Sequence, residues 1–260
     1  MKTFNHQSGQ YLNIDSGKIY YEMAGNENKP VLLVLHGGFG TMEDLNNIVD
    51  DLSYKFNILG IDSRGHGKST MGLQELTYER LQKDVEGVLE QLDISEFSII
   101  GFSDGGVVAY RLASFSNFRI DKIVTIGSRW HWKNADATKD ILRGVTAESW
   151  KNKFPATFET YQRLNPEKDF DKLAESLVKM WLDPGVTGYP NNNVGKIMSP
   201  ILIIRGDNDP LIGLKDILEL KEAVKNSSVL NIPFAGHAVF DSQKEIIKIG
   251  LSGFFTNNGN

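Results

Sequence analysis

The 260-residue chain contains no cysteine, which excludes disulfides, thiolate zinc sites and cysteine nucleophiles together. It also lacks a surplus of basic charge: 28 Lys and Arg stand against 33 Asp and Glu, a formal net charge of −5. That balance gives no electrostatic footing for nucleic acid or for an anionic membrane surface. Long apolar runs are missing as well. The longest span four or five residues, which is strand length, whereas a membrane helix needs about 18 or more. The opening stretch MKTFNHQSGQYLNIDSG holds no apolar segment of signal-peptide length. No G-x-G-x-x-G follows a strand pattern and no H-E-x-x-H occurs. GHGKS resembles the end of a P-loop, but the motif would need glycine where the chain has Asp62. The expectation from these absences is a soluble, cytoplasmic protein with no cofactor, no metal, and neither nucleic acid nor membrane as partner.

What is present is enough apolar material, 40% of residues, for one large domain with a well-buried core. Short apolar runs recur: 31–35, 56–61, 97–101, 122–127, 201–206 and 228–232 read as buried strands. The alternating KIYYEMA at 18–24, followed by the turn-rich GNENKP, reads as an edge hairpin strand. Leu81, Val85, Val88, Leu89 and Leu92 fall at helical spacing, with the helix starting near Thr77 and Asp84 and Glu86 facing away. Leu214, Ile217, Leu218 and Val224 mark a second helix, and Ile246, Ile247, Leu251 and Phe254 a third at the C-terminal end. Strands alternating with helices predict an α/β fold with a mostly parallel sheet.

Residues 129–199 break this rhythm, being too many for one crossover helix. Thr146 is placed to cap a helix there, and Phe170, Leu173, Leu177 and Trp181 repeat at helical steps until Pro184-Gly185. All four tryptophans (Trp130, Trp132, Trp150, Trp181) lie in this interval. The interval is expected to be a helical insertion packed over one end of the sheet; the chain shows no internal repeats and no low-complexity segment beyond the polar tail TNNGN.

The chemistry gathers at strand ends. Gly101-Phe102-Ser103-Asp104-Gly105 matches G-x-S-x-G between a strand and a helix, a turn that lifts Ser Oγ clear of the sheet and aims the helix N-terminus at it. A serine nucleophile needs a base, and the base an orienting acid. Of the five histidines, His6 lies in a stretch expected to fray. His36 precedes glycines that suggest a backbone role, His66 sits in RGHGKS and His131 in the insertion. His237, in a Gly-flanked loop after the last strand, is the best candidate base. RGDNDPLI offers Asp207 and Asp209. Asp209 lies farther out and precedes a stiffening proline, so it is preferred as the acid, with Asp207 shaping the turn. The glycines of HGGFG, 36–40, let backbone N–H groups approach a substrate oxygen. The N–H groups of Gly38 and Asp104 are therefore assigned to the oxyanion.

Together LHGGFG, DSRGHGKS, GFSDGG, RGDNDP and AGH make the chain resemble serine hydrolases of the α/β-hydrolase fold superfamily over nearly its whole length. The resemblance implies a twisted, mostly parallel sheet flanked by helices, with a core of 1–128 and 200–260 and a helical cap at 129–199. It implies the triad Ser103, Asp209 and His237, in agreement with the reading from the residues. Arg64 and Asp62 would brace the loop beneath the site. SDGG with a DPLI acid loop is similar to biphenyl hydrolase-like α-amino acid ester hydrolases, which implies a carboxylate at Asp104 that attracts a substrate ammonium. The alternative is that Asp104 lends only its N–H while its side chain caps the helix. The tryptophans of the interval are expected to pack between cap and sheet, with Trp130 and Trp132 the first of them to line an acyl pocket together with Phe39. The implied activity is cleavage of a small carboxylic ester through an acyl-enzyme. Lactone, carbon–carbon or perhydrolytic chemistry on the same triad, or a non-catalytic ligand receptor, are the alternatives.

Overall fold

The computed structural model describes residues 3–133 and 138–256. Residues 134–137 of the insertion and the polar end at 257–260 lie outside that description. Eight strands form one sheet: β1 (Gln10–Ile14), β2 (Gly17–Ala24), β3 (Val31–Leu35), β4 (Asn57–Ile61), β5 (Glu96–Phe102), β6 (Arg119–Ile126), β7 (Ile201–Gly206) and β8 (Ser227–Ile232). Their order is β1-β2-β4-β3-β5-β6-β7-β8. The pairings of β2 with β1 and with β4 are antiparallel, and all the others are parallel.

The strand expected at the edge is therefore second from it. β1, whose QYLNI carries too little apolar character to stand out, forms a hairpin with β2 through Asp15 and Ser16. Both turn residues have positive φ, 45° and 61°, as the twist of a two-residue hairpin requires.

Ten helices accompany the strands among the described residues: α1 (Asn46–Val49), α2 (Tyr78–Gln91), α3 (Asp104–Phe115), α4 (Thr138–Arg143), α5 (Ala147–Lys153), α6 (Pro155–Leu164), α7 (Phe170–Trp181), α8 (Leu214–Ala223), α9 (Val239–Ser242) and α10 (Lys244–Thr256). None is long and apolar enough to cross a membrane. The parallel strands read as continuous apolar runs because both sheet faces are covered. Leu33, Leu35, Ile99, Ile123 and Ile203 pack into the core on one face, with residues of α2, α3 and α7. Leu32, Val34, Ile100, Val124 and Ile204 pack into the core on the other, with residues of α1 and α10. Thr77 caps α2 by accepting from the Arg80 N–H, and Thr146 caps α5 by accepting from Ser149 N–H.

Three expectations are corrected here. Asp84 does not face away: it is buried against Arg64, whose Nε and Nη2 donate to its two oxygens at 2.7 and 2.6 Å. His6 does not fray. It is buried, with Nδ1 2.5 Å from Glu43 Oε1 and Nε2 2.8 Å from Asp62 Oδ2. On α8, Ile217 is buried but Leu214 and Leu218 are exposed, so its apolar face is narrower than the spacing suggests.

Helices α4 to α7 all lie between β6 and β7, in the interval read as an insertion. Phe170, Leu173, Leu177 and Trp181 share a core with Phe39. A buried Asn165, just past α6, fastens the interval to the loop after β4. Its Nδ2 lies within 3.2 Å of the carbonyls of Gly65 and Gly67 and 3.0 Å of that of Ser69. Glu167 adds a bond, accepting from the Met71 N–H at 2.7 Å.

Candidate active site

β5 ends at Phe102 and α3 begins at Asp104, leaving Ser103 alone to turn the chain. It does so at φ 50° and ψ −114°, a conformation that a residue with a Cβ adopts only under strain. Two features hold it there. The Ser103 N–H donates to the Ile126 carbonyl at 2.8 Å, and the Ser103 carbonyl accepts from Gly106 and Val107 N–H at the start of α3. Glycine at 105 lets the helix come this close to the sheet, since a Cβ there would stand 2.3 Å from the Leu35 carbonyl oxygen. The result is a half-buried hydroxyl at the C-terminal edge of the sheet, over the N-terminus of α3.

His237 lies in the loop between β8 and α9, and Asp209 in the loop after β7. His237 Nε2 is 3.1 Å from Ser103 Oγ, and its Nδ1 is 2.9 Å from Asp209 Oδ2. The other Asp209 oxygen accepts from the Leu211 and Ile212 N–H groups at 2.8 and 3.3 Å, which fixes the buried carboxylate against its own loop. An acid so held keeps the Nδ1–H tautomer of the imidazole and leaves Nε2 free to accept from serine. Gly127 sits behind the pair, where a Cβ would be 3.1 Å from His237 Nδ1. Asp207 is engaged elsewhere, accepting from Asn231 Nδ2 at 3.0 Å beside Arg205.

Gly38 lies in the loop after β3, on the opposite side of the α3 N-terminus. A Cβ on Gly38 would stand 2.7 Å from Asp104 Oδ2 and 2.8 Å from the Trp181 ring. Among the described residues, the N–H groups of Gly38 and Asp104 donate to no protein acceptor. The Asp104 side chain does not cap α3. Its carboxylate is buried and accepts from Tyr78 Oη at 2.7 Å and from Trp181 Nε1 at 2.9 Å. Burial pushes its carboxyl above the usual carboxylate range, although both hydrogen bonds pull it down.

The aromatic lining differs from the expected one. Phe39 is buried, stacked on Trp150 at 4.1 Å, with Trp181 edge-on at 6.0 Å. Trp130 instead stacks on His131 and donates from Nε1 to the Asp216 carbonyl on α8. Trp132 lies under the Lys139 ammonium. The tryptophan that reaches Asp104 and Gly38 is Trp181, which helical spacing identifies only as a core position. Tyr78, at the first turn of α2, carries no sequence signal at all for this role.

His6, His36 and His66 are structural. His36 is buried, with Nδ1 on the Gly37 carbonyl at 2.7 Å and Nε2 accepting from the Ser63 N–H at 2.9 Å. His66 is buried, and desolvation brings its pKa down to about 3. Arg64 and Asp62 are both buried in the loop after β4. Arg64 also reaches the Met71 carbonyl, while Asp62 accepts from the Met42 and Lys68 N–H groups.

Known proteins share this arrangement of strands and loops. A family model described as alpha/beta hydrolase fold matches residues 30–179, more than half of the chain. A putative esterase/lipase of Haemophilus influenzae is 25% identical over 252 residues, covering 92% of this chain and 88% of its own. The human serine hydrolase BPHL is 26% identical over 86% of this chain and 78% of its own. The crystal structure of a hydrolase from Pseudomonas aeruginosa superposes with a TM-score of 0.78 at 20% identity, over 97% of this chain and 100% of that one. At that identity the superposition speaks for the fold alone.

Proposed function

The chain belongs to the alpha/beta hydrolase fold family and is an esterase-type hydrolase, and from that premise we propose that it cleaves small carboxylic esters through an acyl-enzyme on Ser103. The observation that carries this reading is the continuous relay from Ser103 Oγ to His237 Nε2 and from His237 Nδ1 to Asp209. His237 takes the Ser103 proton as Oγ attacks the ester carbonyl, and Asp209 stabilises the imidazolium that forms. The N–H groups of Gly38 and Asp104 receive the negative charge that develops on the carbonyl oxygen, helped by the positive end of the α3 dipole. His237 then returns the proton to the leaving alcohol. Water deprotonated by His237 attacks the acyl-enzyme, releases the carboxylic acid and restores Ser103.

In this reading residues 129–199 are the cap, and the substrate binds between it and the sheet edge beside Phe39, Trp150 and Trp181. Asp104 serves the reaction through its N–H. Its carboxylate is committed to Tyr78 and Trp181, so it positions the indole rather than pairing with a substrate ammonium. The absence of cysteine is in keeping with a reducing, cytoplasmic setting.

Pre-steady-state hydrolysis of p-nitrophenyl acetate tests the reading. A burst of p-nitrophenol of one equivalent per chain is expected, lost in Ser103→Ala. A wild-type protein that binds the ester without acylation would be a ligand receptor on a hydrolase scaffold, and the proposal would fail.

A further inference from the structure

A second cluster of reactive side chains lies where the segment after β6 meets α8. Asp216 and Glu219 are three residues apart on α8, so their carboxylates project from one face of the helix. His131 meets them from the facing segment. Its Nε2 is 3.6 Å from Asp216 Oδ1, and one donor atom from each of the three residues lies within 4.8 Å of the others. The Lys133 ammonium sits between the carboxylates, 2.8 Å from Asp216 Oδ1 and 2.6 Å from Glu219 Oε2.

As a set of ion pairs alone, this cluster leaves His131 without a purpose. The imidazole is only 10% exposed, and among the described residues neither ring nitrogen has a hydrogen-bond partner. Buried polar atoms in folded proteins are rarely left so, because the lost hydration is not replaced. Nor is the ring free to turn outward. Trp130 stacks on it at 4.2 Å and is itself tied to α8 through Nε1 and the Asp216 carbonyl at 2.9 Å. The imidazole is therefore held against two carboxylates whose gap is already filled by a cation.

We propose that His131, Asp216 and Glu219 form a site for a divalent metal ion of the zinc type, and that Lys133 is the resident cation the metal displaces. One imidazole with two carboxylates is a donor set that such ions accept, with a fourth position left for water. Zinc would sit about 2.0–2.2 Å from each donor, so the donors must draw in from their present spacing. Lys133, 36% exposed, can swing outward to allow it. The bound ion would tie the segment at 129–133 to the helix that follows the Asp209 loop.

Isothermal titration of chelator-treated full-length protein with zinc chloride decides the matter. One saturable site per chain is expected. Glu219→Gln and His131→Gln should each weaken binding by more than about tenfold, since losing even a group that only supports a ligand costs that much. Lys133→Met should tighten binding, because the competing ammonium is gone. The Glu219 side chain on α8 is 35% exposed, so its variant is expected to fold and carries the test if the His131 variant does not. Wild-type protein that takes up no more zinc than Glu219→Gln overturns the proposal, and so does a Lys133→Met variant whose affinity is unchanged or weaker.

Discussion

Removing Asp84 is expected to be among the costliest single changes in the molecule outside the reaction site. Arg64 is fully buried, and among the described residues Asp84 supplies its only close counter-charge, through the two bonds at 2.7 and 2.6 Å. Burial pushes the Asp84 carboxyl above its ordinary range in spite of the guanidinium beside it. Taking both charges out of water offsets much of their mutual attraction, so the intact pair contributes little net stability. Breaking it from one side is different. In Asp84→Ala the guanidinium keeps the Met71 and Ile14 carbonyls but no negative partner, a loss of about 3–5 kcal/mol. For a chain of this length that is a fall in Tm of roughly 6–10 °C, at ~2 °C per kcal/mol. Urea unfolding followed by circular dichroism measures it, alongside the double variant Arg64→Met/Asp84→Leu. The double variant should recover most of the loss, since both charges leave together. A loss below about 1 kcal/mol in Asp84→Ala, or a double variant as unstable as the two single changes combined, refutes the reasoning.

Asp209→Asn should keep the fold and lower kcat by about 10⁴-fold in p-nitrophenyl ester hydrolysis, because the amide no longer holds the productive His237 tautomer. A drop of less than tenfold would remove Asp209 from the relay. Asp104→Asn should cost about 1–3 kcal/mol through the bonds from Tyr78 and Trp181. It should leave unchanged the ratio of kcat/KM between an amino acid ester and its desamino analogue. A collapse of that ratio would show that the carboxylate meets the substrate's ammonium after all. His66 titrates near 3 when folded against an ordinary 6.5. Its stabilising share is therefore complete above pH 6.5 and is lost as pH falls towards 3. Between pH 7 and pH 5 that share is about 2 kcal/mol. The stability difference between these pH values, from urea midpoints, should be smaller in His66→Gln by that amount, and equal losses in both proteins would contradict it.

Much of this was legible because the candidate site residues sit at strand ends, and parallel strands buried on both faces announce themselves as plain apolar runs. Five of the eight strands, β3 to β7, are of that kind. β1 is not: QYLNI is half polar and finds its place through a turn and a neighbour that no local pattern names. Periodicity also misjudged Asp84, since a carboxylate on the buried face of α2 makes sense only once Arg64 arrives from twenty residues earlier. The Tyr78–Asp104–Trp181 contact joins α2, the Ser103 turn and α7, so it belongs to the tertiary fold and has no sequence signature. Composition likewise located the four tryptophans in one interval, but not which of them faces the sheet edge.

Asn165 has a consequence for anyone who would exchange that interval for another. One side-chain amide spans three carbonyls of the loop after β4, so the interval is riveted to the core at a point far from either of its chain ends. A chimera cut at 129 and 199 with a foreign insert would leave those carbonyls without the Asn165 donor. The workable transplant is smaller. It replaces α4 to α6 and retains the residues from Asn165 onward, so that pocket shape can be redrawn while the rivet stays in place.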